Sequence, residues 1–307
     1  MKAARIHEYG APPVLEEVQT PDIGPDEVLV RVKVAALNLL DVQLQSGKMH
    51  GFFPLSFPYT LGTDLAGTVE RAGSSAARWR QGDKVVGRTD PTRGGALAEF
   101  AVIPAATLAA APTRVSLEET AGIPTAAGTA WQALFEVASL KRGQTLLVHA
   151  GAGGVGSFAI QLARSAGARV VATASGSGIE LARQLGADQV IDYRSEDFAE
   201  TLSDIDVVLD TVRDDTQQRS FGVLRLGGRL VSITSPPDEA LAKAHNVAAT
   251  FVFHQSDGSR LEKIVERIDA GTLRILVDRR VPLGALDDAF RHQGSGRARG
   301  KIILSVS

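Results

Sequence analysis

Cysteine is absent from all 307 residues. That removes disulfides, a thiol nucleophile and every cysteine-ligated metal site at once. Histidine is sparse, and the six that occur (7, 50, 149, 245, 254, 292) are scattered without metal-ligand spacing. Excess charge is lacking too. The net charge of −2 leaves no electrostatic footprint for nucleic acid or for an anionic membrane. No apolar run reaches the roughly 20 residues that span a bilayer. The opening Met-Lys-Ala-Ala-Arg-Ile-His-Glu lacks the apolar stretch of a signal peptide. The expectation is a cytoplasmic globular protein with no nucleic-acid or membrane partner. There is no internal repeat and no low-complexity linker. The length suits one or two domains, with ample core.

What is present is a strand–turn–helix–strand run over residues 144–175. Apolar Gln144–Ala150 meets Gly151-Ala-Gly153-Gly154-Val155-Gly156, then a helical stretch, then Arg169–Ser175. Glycine spacing of this kind is weak evidence by itself, but here a strand precedes it and a helix follows. Gly151 permits a tight exit from the strand. Gly153 lets the backbone approach a pyrophosphate. Gly156 lets the helix lie close to the sheet. The helix start at Gly154 and Val155 then offers unpaired N–H groups and a partial positive charge to phosphates. A dinucleotide site is expected, with a plain β–α corner as the bland alternative.

Before this run the chain reads as mostly β. Lys2–His7, Leu15–Val18 and Glu27–Ala35 are strand-like, the last with polar residues at 27, 31 and 33. Asn38–Ser46 reads as a short helix ending near Gly47. A loop turning into a strand is expected over 61–70, with a further turn and strand at 82–87 and another strand at 95–103. From about residue 117 the pattern changes. Strands at 144–150, 169–174, 188–193, 206–212, 228–234 and 247–253 alternate with helices near 154–166, 178–186, 195–202 and 215–226. That alternation predicts an α/β fold with a doubly wound parallel sheet. A tail follows: helix 260–271, extended 274–283, short helix 286–292 and a last strand 301–306.

Several motifs together resemble one family. They are Asn38-x-x-Asp41 with Ser46-Gly47, Gly62-Thr63-Asp64 before Gly67, and Gly122-Ile123-Pro124 before Gly128-Thr129-Ala130-Trp131. His149-Ala150-Gly151 and the closing Gly300-Lys301-Ile302-Ile303-Leu304 complete them. The chain resembles the medium-chain dehydrogenase/reductase superfamily, in its zinc-free quinone oxidoreductase (zeta-crystallin-like) branch, over essentially its whole length. The resemblance implies a Rossmann domain at 118–256, inserted in a mostly-β GroES-like catalytic domain formed by 1–117 plus 257–307. It also implies an active cleft between the two.

Zinc-dependent members of that superfamily bind their catalytic metal through Cys, His and Cys or Glu. The matching places here look like Asn38, Thr63 and Thr125, with Asp64 beside Thr63. Amide and hydroxyl oxygens are poor zinc ligands, so no metal is expected. An NAD site normally carries an acid at the end of its second strand. That place reads Ala174-Ser175-Gly176-Ser177-Gly178, with no acid before Glu180. Small hydroxyls suit a 2′-phosphate, so NADPH is the expected cofactor. Branch members usually add a lysine near Ile179. Its absence leaves Arg194 as a substitute cation or as a solvated surface arginine, with Tyr193 along the adenine. Ser175 is either a phosphate ligand or a plain loop serine. Thr129 is placed near the nicotinamide by the resemblance, with a helix cap as the alternative. Val212, Ile233 and Phe253 end strands on the expected crevice side, and Lys301 is a candidate cofactor contact. For the chemistry, Asn38 and Thr63 are the polar groups expected to face the nicotinamide. Asp41 is expected to orient its loop, and His149 to be a packed strand residue. Tyrosines that branch members use near the quinone are missing from 43–50, and Phe52, Phe53 and Phe57 are the candidate apolar wall.

The leading expectation is therefore zinc-independent, NADPH-dependent hydride transfer to a quinone. Reduction of an activated alkene (a 2-alkenal or enone) is the alternative. A non-catalytic NADPH-binding or sensing protein and a metal-dependent alcohol dehydrogenase are weaker ones. The resemblance implies pairing through the edge strand of the nucleotide sheet, here near Val247–Phe253, and that uncharged run would be an aggregation hazard if left bare, so a homodimer through that edge is expected.

Overall fold

The computed structural model describes residues 1–212 and 215–306. It divides into two compact units, Met1–Ala126 with Ser256–Ser307 and Ala127–Gln255. In the first unit β1 (Lys2–Ile6), β2 (Val14–Glu17) and β3 (Glu27–Leu37) lead to helix α1 (Leu39–Gln45). Then come β4 (Tyr59–Thr60), β5 (Asp64–Ala72), β6 (Lys84–Arg88), β7 (Phe100–Pro104), β8 (Ala109–Ala110) and α2 (Leu117–Thr120). Helix α3 (Pro124–Trp131) carries the chain over the boundary and widens into a π-helical turn, Gln132–Val137. The second unit alternates strand and helix: β9 (Thr145–Val148), α4 (Gly154–Ser165), β10 (Arg169–Ala174), α5 (Ser177–Gln184), β11 (Gln189–Asp192) and α6 (Phe198–Thr201). It ends with β12 (Ile205–Asp210), α7 (Asp215–Ser220), β13 (Leu224–Ser232), α8 (Glu239–Ala244) and β14 (Ala248–Phe251). The tail supplies α9 (Gly258–Asp269), β15 (Val277–Pro282), α10 (Leu286–Gly294) and β16 (Lys301–Ser305).

The second unit is a six-stranded sheet in the order β11-β10-β9-β12-β13-β14, with every neighbouring pair parallel. Its inner strands are apolar on both faces, as helices on both sides require. Leu147, Val171, Ile191, Val208, Phe221 and Leu230 form one core cluster there. Burying each such side chain contributes about 1.5–3 kcal/mol. The first unit holds a sheet in the order β15-β16-β3-β5-β6-β8, with β7 also on β3. The tail strand β16 pairs antiparallel with β3, Ile302 opposite Leu37. On the other side of β3, Ala36 lies opposite Asp64 of β5. This register draws residues 38, 64 and 301 to one corner.

The structure departs from the sequence reading in places. The first unit runs to Ala126 rather than 117, because α2 packs on β3, β5 and β16 of that unit. The helix expected over 215–226 stops at Ser220. A 3₁₀ turn with Phe221 and Val223 buried follows, and β13 begins at Leu224. Helix α8 was not foreseen, since it buries only Ala242 and shows no apolar stripe; Asp238 caps it by accepting from the Ala240 and Leu241 N–H groups. Thr129 is interior to α3 and so is not its cap.

Gly67 has a structural reason. A Cβ there would collide with the Arg31 carbonyl oxygen of β3, next to an irregularity in the β3–β5 register. Gly67→Ala is expected to destabilise the protein by about 1–3 kcal/mol. Urea unfolding of the variant against the parent checks this; an unchanged midpoint would contradict it.

Candidate active site

Strand β9 ends at Val148, and the turn that follows is strained at an unexpected residue. Ala150, not a glycine, takes positive φ (50°). Its N–H is held by Thr173 Oγ1 at 3.2 Å, and the Thr211 hydroxyl donates to the His149 carbonyl at 2.7 Å. The three motif glycines do different jobs. A Cβ on Gly151 would meet Ala172 Cβ at 2.8 Å and Ile160 Cδ1 at 2.9 Å, so this position sets the closeness of α4 to β10. A Cβ on Gly156 would collide with the Ala150 carbonyl. A Cβ on Gly153 would sit 3.1 Å from the Ala150 carbonyl oxygen, a tight approach to backbone but the mildest of the three. Gly153 is also the N-cap of α4 and offers no side chain to its first N–H groups. The N–H groups of Gly154, Val155 and Gly156 are therefore the ones a phosphate would take.

At the end of β10, the Ser175 hydroxyl donates to Tyr193 Oη at 2.8 Å. Tyr193 is more than half exposed (56%), which brings it beside Ser175 with its ring in solvent. Gly176, with positive φ (55°), caps α5, and Ser177 is its first residue. Arg194 is exposed, its N–H bonded to Asp192 Oδ1 at 3.1 Å. The strand-end contacts are partly consumed within the protein. The Val212 N–H donates to Asp210 Oδ1 at 3.0 Å, and the Ile233 N–H to the Asp210 carbonyl at 3.1 Å. Phe253 lies past the end of β14, and its carbonyl accepts from Gln132 Nε2 at 3.5 Å. Gln132 Oε1 also accepts from the Gln255 N–H, so the π-helical turn after α3 holds this stretch near Thr129.

His149 is buried, between Thr173 Oγ1 (3.2 Å) and Ser220 Oγ (2.9 Å). Burial first, and then the Arg219 charge, pushes it down to about 3, so it stays neutral and serves packing. Fully buried Asp210 went unnoticed in the sequence. It accepts from Gln217 Nε2 (3.0 Å) and the Ser232 hydroxyl (2.8 Å), tying the ends of β12 and β13 together.

The first unit gathers a buried polar cluster where β3, β5 and β16 meet. The Asn38 N–H donates to Asp41 Oδ2 at 2.7 Å, and Asn38 Nδ2 donates to Asp64 Oδ2 at 2.9 Å. Lys301 Nζ donates to Asn38 Oδ1 at 2.5 Å and stands 3.7 Å from Asp64 Oδ2. Thr125 gives Asp64 its backbone N–H at 3.1 Å and its hydroxyl at 2.6 Å. Thr63 is fully buried, and its hydroxyl is donated to Asp41 Oδ1 at 3.1 Å. Thr63 therefore orients Asp41 instead of presenting a donor outward. Asn38 is 7% exposed, and Thr125 is the half-buried member of the cluster. Arg88 is buried close by and balances the second carboxylate. Burial pushes the Asp41 carboxyl up to about 6, against the Asn38 N–H that favours its ionised form. Burial pushes the Lys301 ammonium down, against the pull of Asp64 and Asp41.

Tyr9, from the turn after β1, was also missed. Its hydroxyl hydrogen-bonds His50 Nδ1 at 2.8 Å and accepts the Leu55 N–H at 2.9 Å. Its ring meets Phe57 edge-on, with centroids 4.8 Å apart. Tyr9 thus ties the loop after Gly47 to the turn after β1. Phe57 packs against the first unit's core, and Phe52 is exposed.

Comparison with known proteins agrees with this architecture. Residues 24–113 match the alcohol dehydrogenase GroES-like domain family, and residues 185–304 the zinc-binding dehydrogenase family. A chloroplast envelope quinone oxidoreductase homolog from Arabidopsis thaliana is 34% identical, over 99% of this chain and 98% of its own length. A 2-methylene-furan-3-one reductase from Solanum lycopersicum is also 34% identical, over 99% of this chain and 79% of that protein. The solved structure of Escherichia coli quinone oxidoreductase complexed with NADPH superposes with TM-score 0.90 at 27% identity, covering 99% of this chain and all of that one. A GroES-like unit together with a Rossmann unit defines the medium-chain class of dehydrogenases and reductases. The chain belongs to that superfamily and, within it, to the zinc-free quinone oxidoreductase branch.

Asp41 gives a pH prediction. Its raised native pKa means that the folded state holds a proton the unfolded chain releases between about pH 4 and about pH 6. Wild-type stability relative to Asp41→Asn should therefore fall as pH rises through that window, by about 3 kcal/mol in all, and level off above it. Paired unfolding curves from pH 4 to 7.5 measure this, and a flat difference would refute the assignment.

Proposed function

We propose that the chain is a zinc-independent, NADPH-dependent reductase of quinones. The observation that carries this is the uncapped glycine turn followed by a β10 end without a carboxylate. At Gly153 the start of α4 has no capping side chain on its first N–H groups, and at Ser175–Gly178 there are hydroxyls and a positive-φ glycine where an NAD site would carry an acid. The NADPH bound to the E. coli relative supports the same cofactor. The residues present fit it: Gly153 to Gly156 receive the pyrophosphate on backbone N–H groups, and Ser175 with Ser177 receives the 2′-phosphate. Tyr193 flanks the adenine, Arg194 supplies a cation, and Thr129, Val212, Ile233 and Phe253 belong to the nicotinamide side. Bound NADPH supplies a hydride to an electron-poor π system.

Zinc does not suit the first unit's cluster. Its members at the superfamily's ligand positions are an amide and two hydroxyls. Asp64 already accepts from Asn38 and Thr125, and an ammonium occupies the amide oxygen. Among the described residues, no group of three or more His, Asp or Glu is arranged to hold a metal ion. Asn38 is the residue assigned to the substrate, donating to the carbonyl oxygen on which negative charge grows during hydride addition. Water provides the balancing proton. An enone or 2-alkenal reductase is the second reading, favoured by the similarity to the 2-methylene-furan-3-one reductase. The edge position of β14, half-exposed and free of charge, supports a homodimer through that strand. Among the described residues, no helix is long and apolar enough to cross a membrane.

Mixing the protein and NADPH with a quinone panel and an enone panel, and following loss of NADPH absorbance, tests the reading. Turnover on either is expected; tight NADPH binding without turnover on any member would overturn it. Ser175→Asp is expected to move the NADPH-to-NADH preference, as the ratio of kcat/KM values, by at least about tenfold toward NADH, equivalent to about 1.4 kcal/mol. An unchanged ratio would put the 2′-phosphate elsewhere. Light scattering at micromolar concentration reads the dimer directly.

A further inference from the structure

We infer that Lys301 is a positioning residue for the reduction. Its ammonium, fixed on the Asn38 amide oxygen, aims and polarises the remaining amide N–H that meets the substrate carbonyl. This rests on the reductase reading above and goes beyond it, by giving a side chain the electrophilic role that metal-dependent members of the superfamily give to zinc.

The argument starts with the orientation of the Asn38 amide. An amide has two donors on one end and an acceptor on the other, and the two ends are normally hard to tell apart. Here the neighbours decide. Asp64 Oδ2, at 2.9 Å, can only accept, so nitrogen must face it. Lys301 Nζ, at 2.5 Å, is a donor, so oxygen must face it. Both ends are thereby fixed, and one N–H of Nδ2 is left without an acceptor among the described residues of the first unit. A cation on the oxygen withdraws electron density through the conjugated amide and strengthens that N–H as a donor.

The surroundings are arranged for this lysine. β16 pairs with β3 so that Lys301 arrives next to Asn38. Its aliphatic stem passes Gly122, where a Cβ would lie 3.2 Å from Lys301 Cγ and 3.0 Å from Ile275 Cγ2. Any larger residue at 122 would crowd the stem. Asp64 and Asp41 balance the charges of Lys301 and Arg88, so the ammonium is held in a neutral set of four groups. The Lys301 side chain is 3% exposed and that of Asp64 is not exposed at all, which keeps water from screening the pair.

The experiment is steady-state turnover combined with NADPH binding by fluorescence, on Lys301→Met, on Lys301→Met with Asp64→Asn, and on each again in an Asn38→Ala background. The second variant removes a cation and an anion together, so it keeps the buried charge balanced where the single variant fails to fold. The expected result is a kcat lowered about 10- to 100-fold, in line with loss of a polarised donor to the developing oxyanion. NADPH affinity should stay within about twofold of wild type, a change of about 0.4 kcal/mol. In the Asn38→Ala background the same changes should lower kcat no further. The inference is overturned if the charge-balanced variant keeps kcat within twofold, or if the loss is equally large without Asn38. It is also overturned if NADPH affinity falls tenfold while kcat is kept, the signature of a plain cofactor contact. Wild-type protein that reduces neither panel would instead sink the reductase reading itself.

Discussion

The first unit is organised by the burial of one ammonium group. Two carboxylates, Asp41 and Asp64, lie almost wholly out of water at the meeting point of β3 and β5. Unpaired, each would cost several kcal/mol. Lys301 and Arg88 compensate them, and hydrogen bonds from Asn38, Thr63 and Thr125 reach every one of the four carboxylate oxygens. Removing any one partner leaves a charge stranded, which is why this corner admits few substitutions. The same arrangement fixes Asn38, the side chain proposed above to meet a substrate. Stability and chemistry share the same atoms here.

The second unit spends its constraints differently. Its turn must put backbone N–H groups close to a phosphate while keeping α4 hard against the sheet. The strain falls on Ala150, where a positive φ costs an alanine more than it would a glycine. Neighbouring groups hold it there: Thr173 takes its N–H, and the carbonyl before it accepts from Thr211. Gly153, with extended backbone, carries no such strain. The glycines and the alanine thus divide the work between approach and geometry.

Local signals were legible in the sequence and distant ones were not. The glycine turn and the β9–β14 alternation could be read from short windows, because their determinants are neighbours in the chain. The tail elements also fell close to where periodicity put them. The partnership of Lys301 with Asn38 spans most of the chain, and no local pattern marks it. Lys301 looked like a cofactor ligand or a surface lysine until the β3–β16 register placed it. Thr63 was expected to face outward because it sits in a motif; the sheet turns it onto Asp41. Asp210 is an ordinary strand-end acid until Gln217 and Ser232 are seen around it. Tyr9 shows the same limit, since a tyrosine that anchors the loop after Gly47 lies near the start of the sequence. Helix α8, with one buried residue, is held by its Asp238 cap, and an apolar stripe is not there to be read.

The tail strand has a further consequence, for the order in which the molecule can be completed. During synthesis Asn38, Asp41 and Asp64 leave the ribosome early, and the whole nucleotide unit follows before Lys301 appears. For that interval the two carboxylates lack Lys301, one of the two cations that compensate them in the finished fold. The corner must stay open or protonated until β16 docks against β3. The nucleotide unit, whose strands are contiguous in the chain, is under no such delay. The nucleotide-binding unit can therefore be complete in the growing chain while the corner around Asn38 still lacks its last strand.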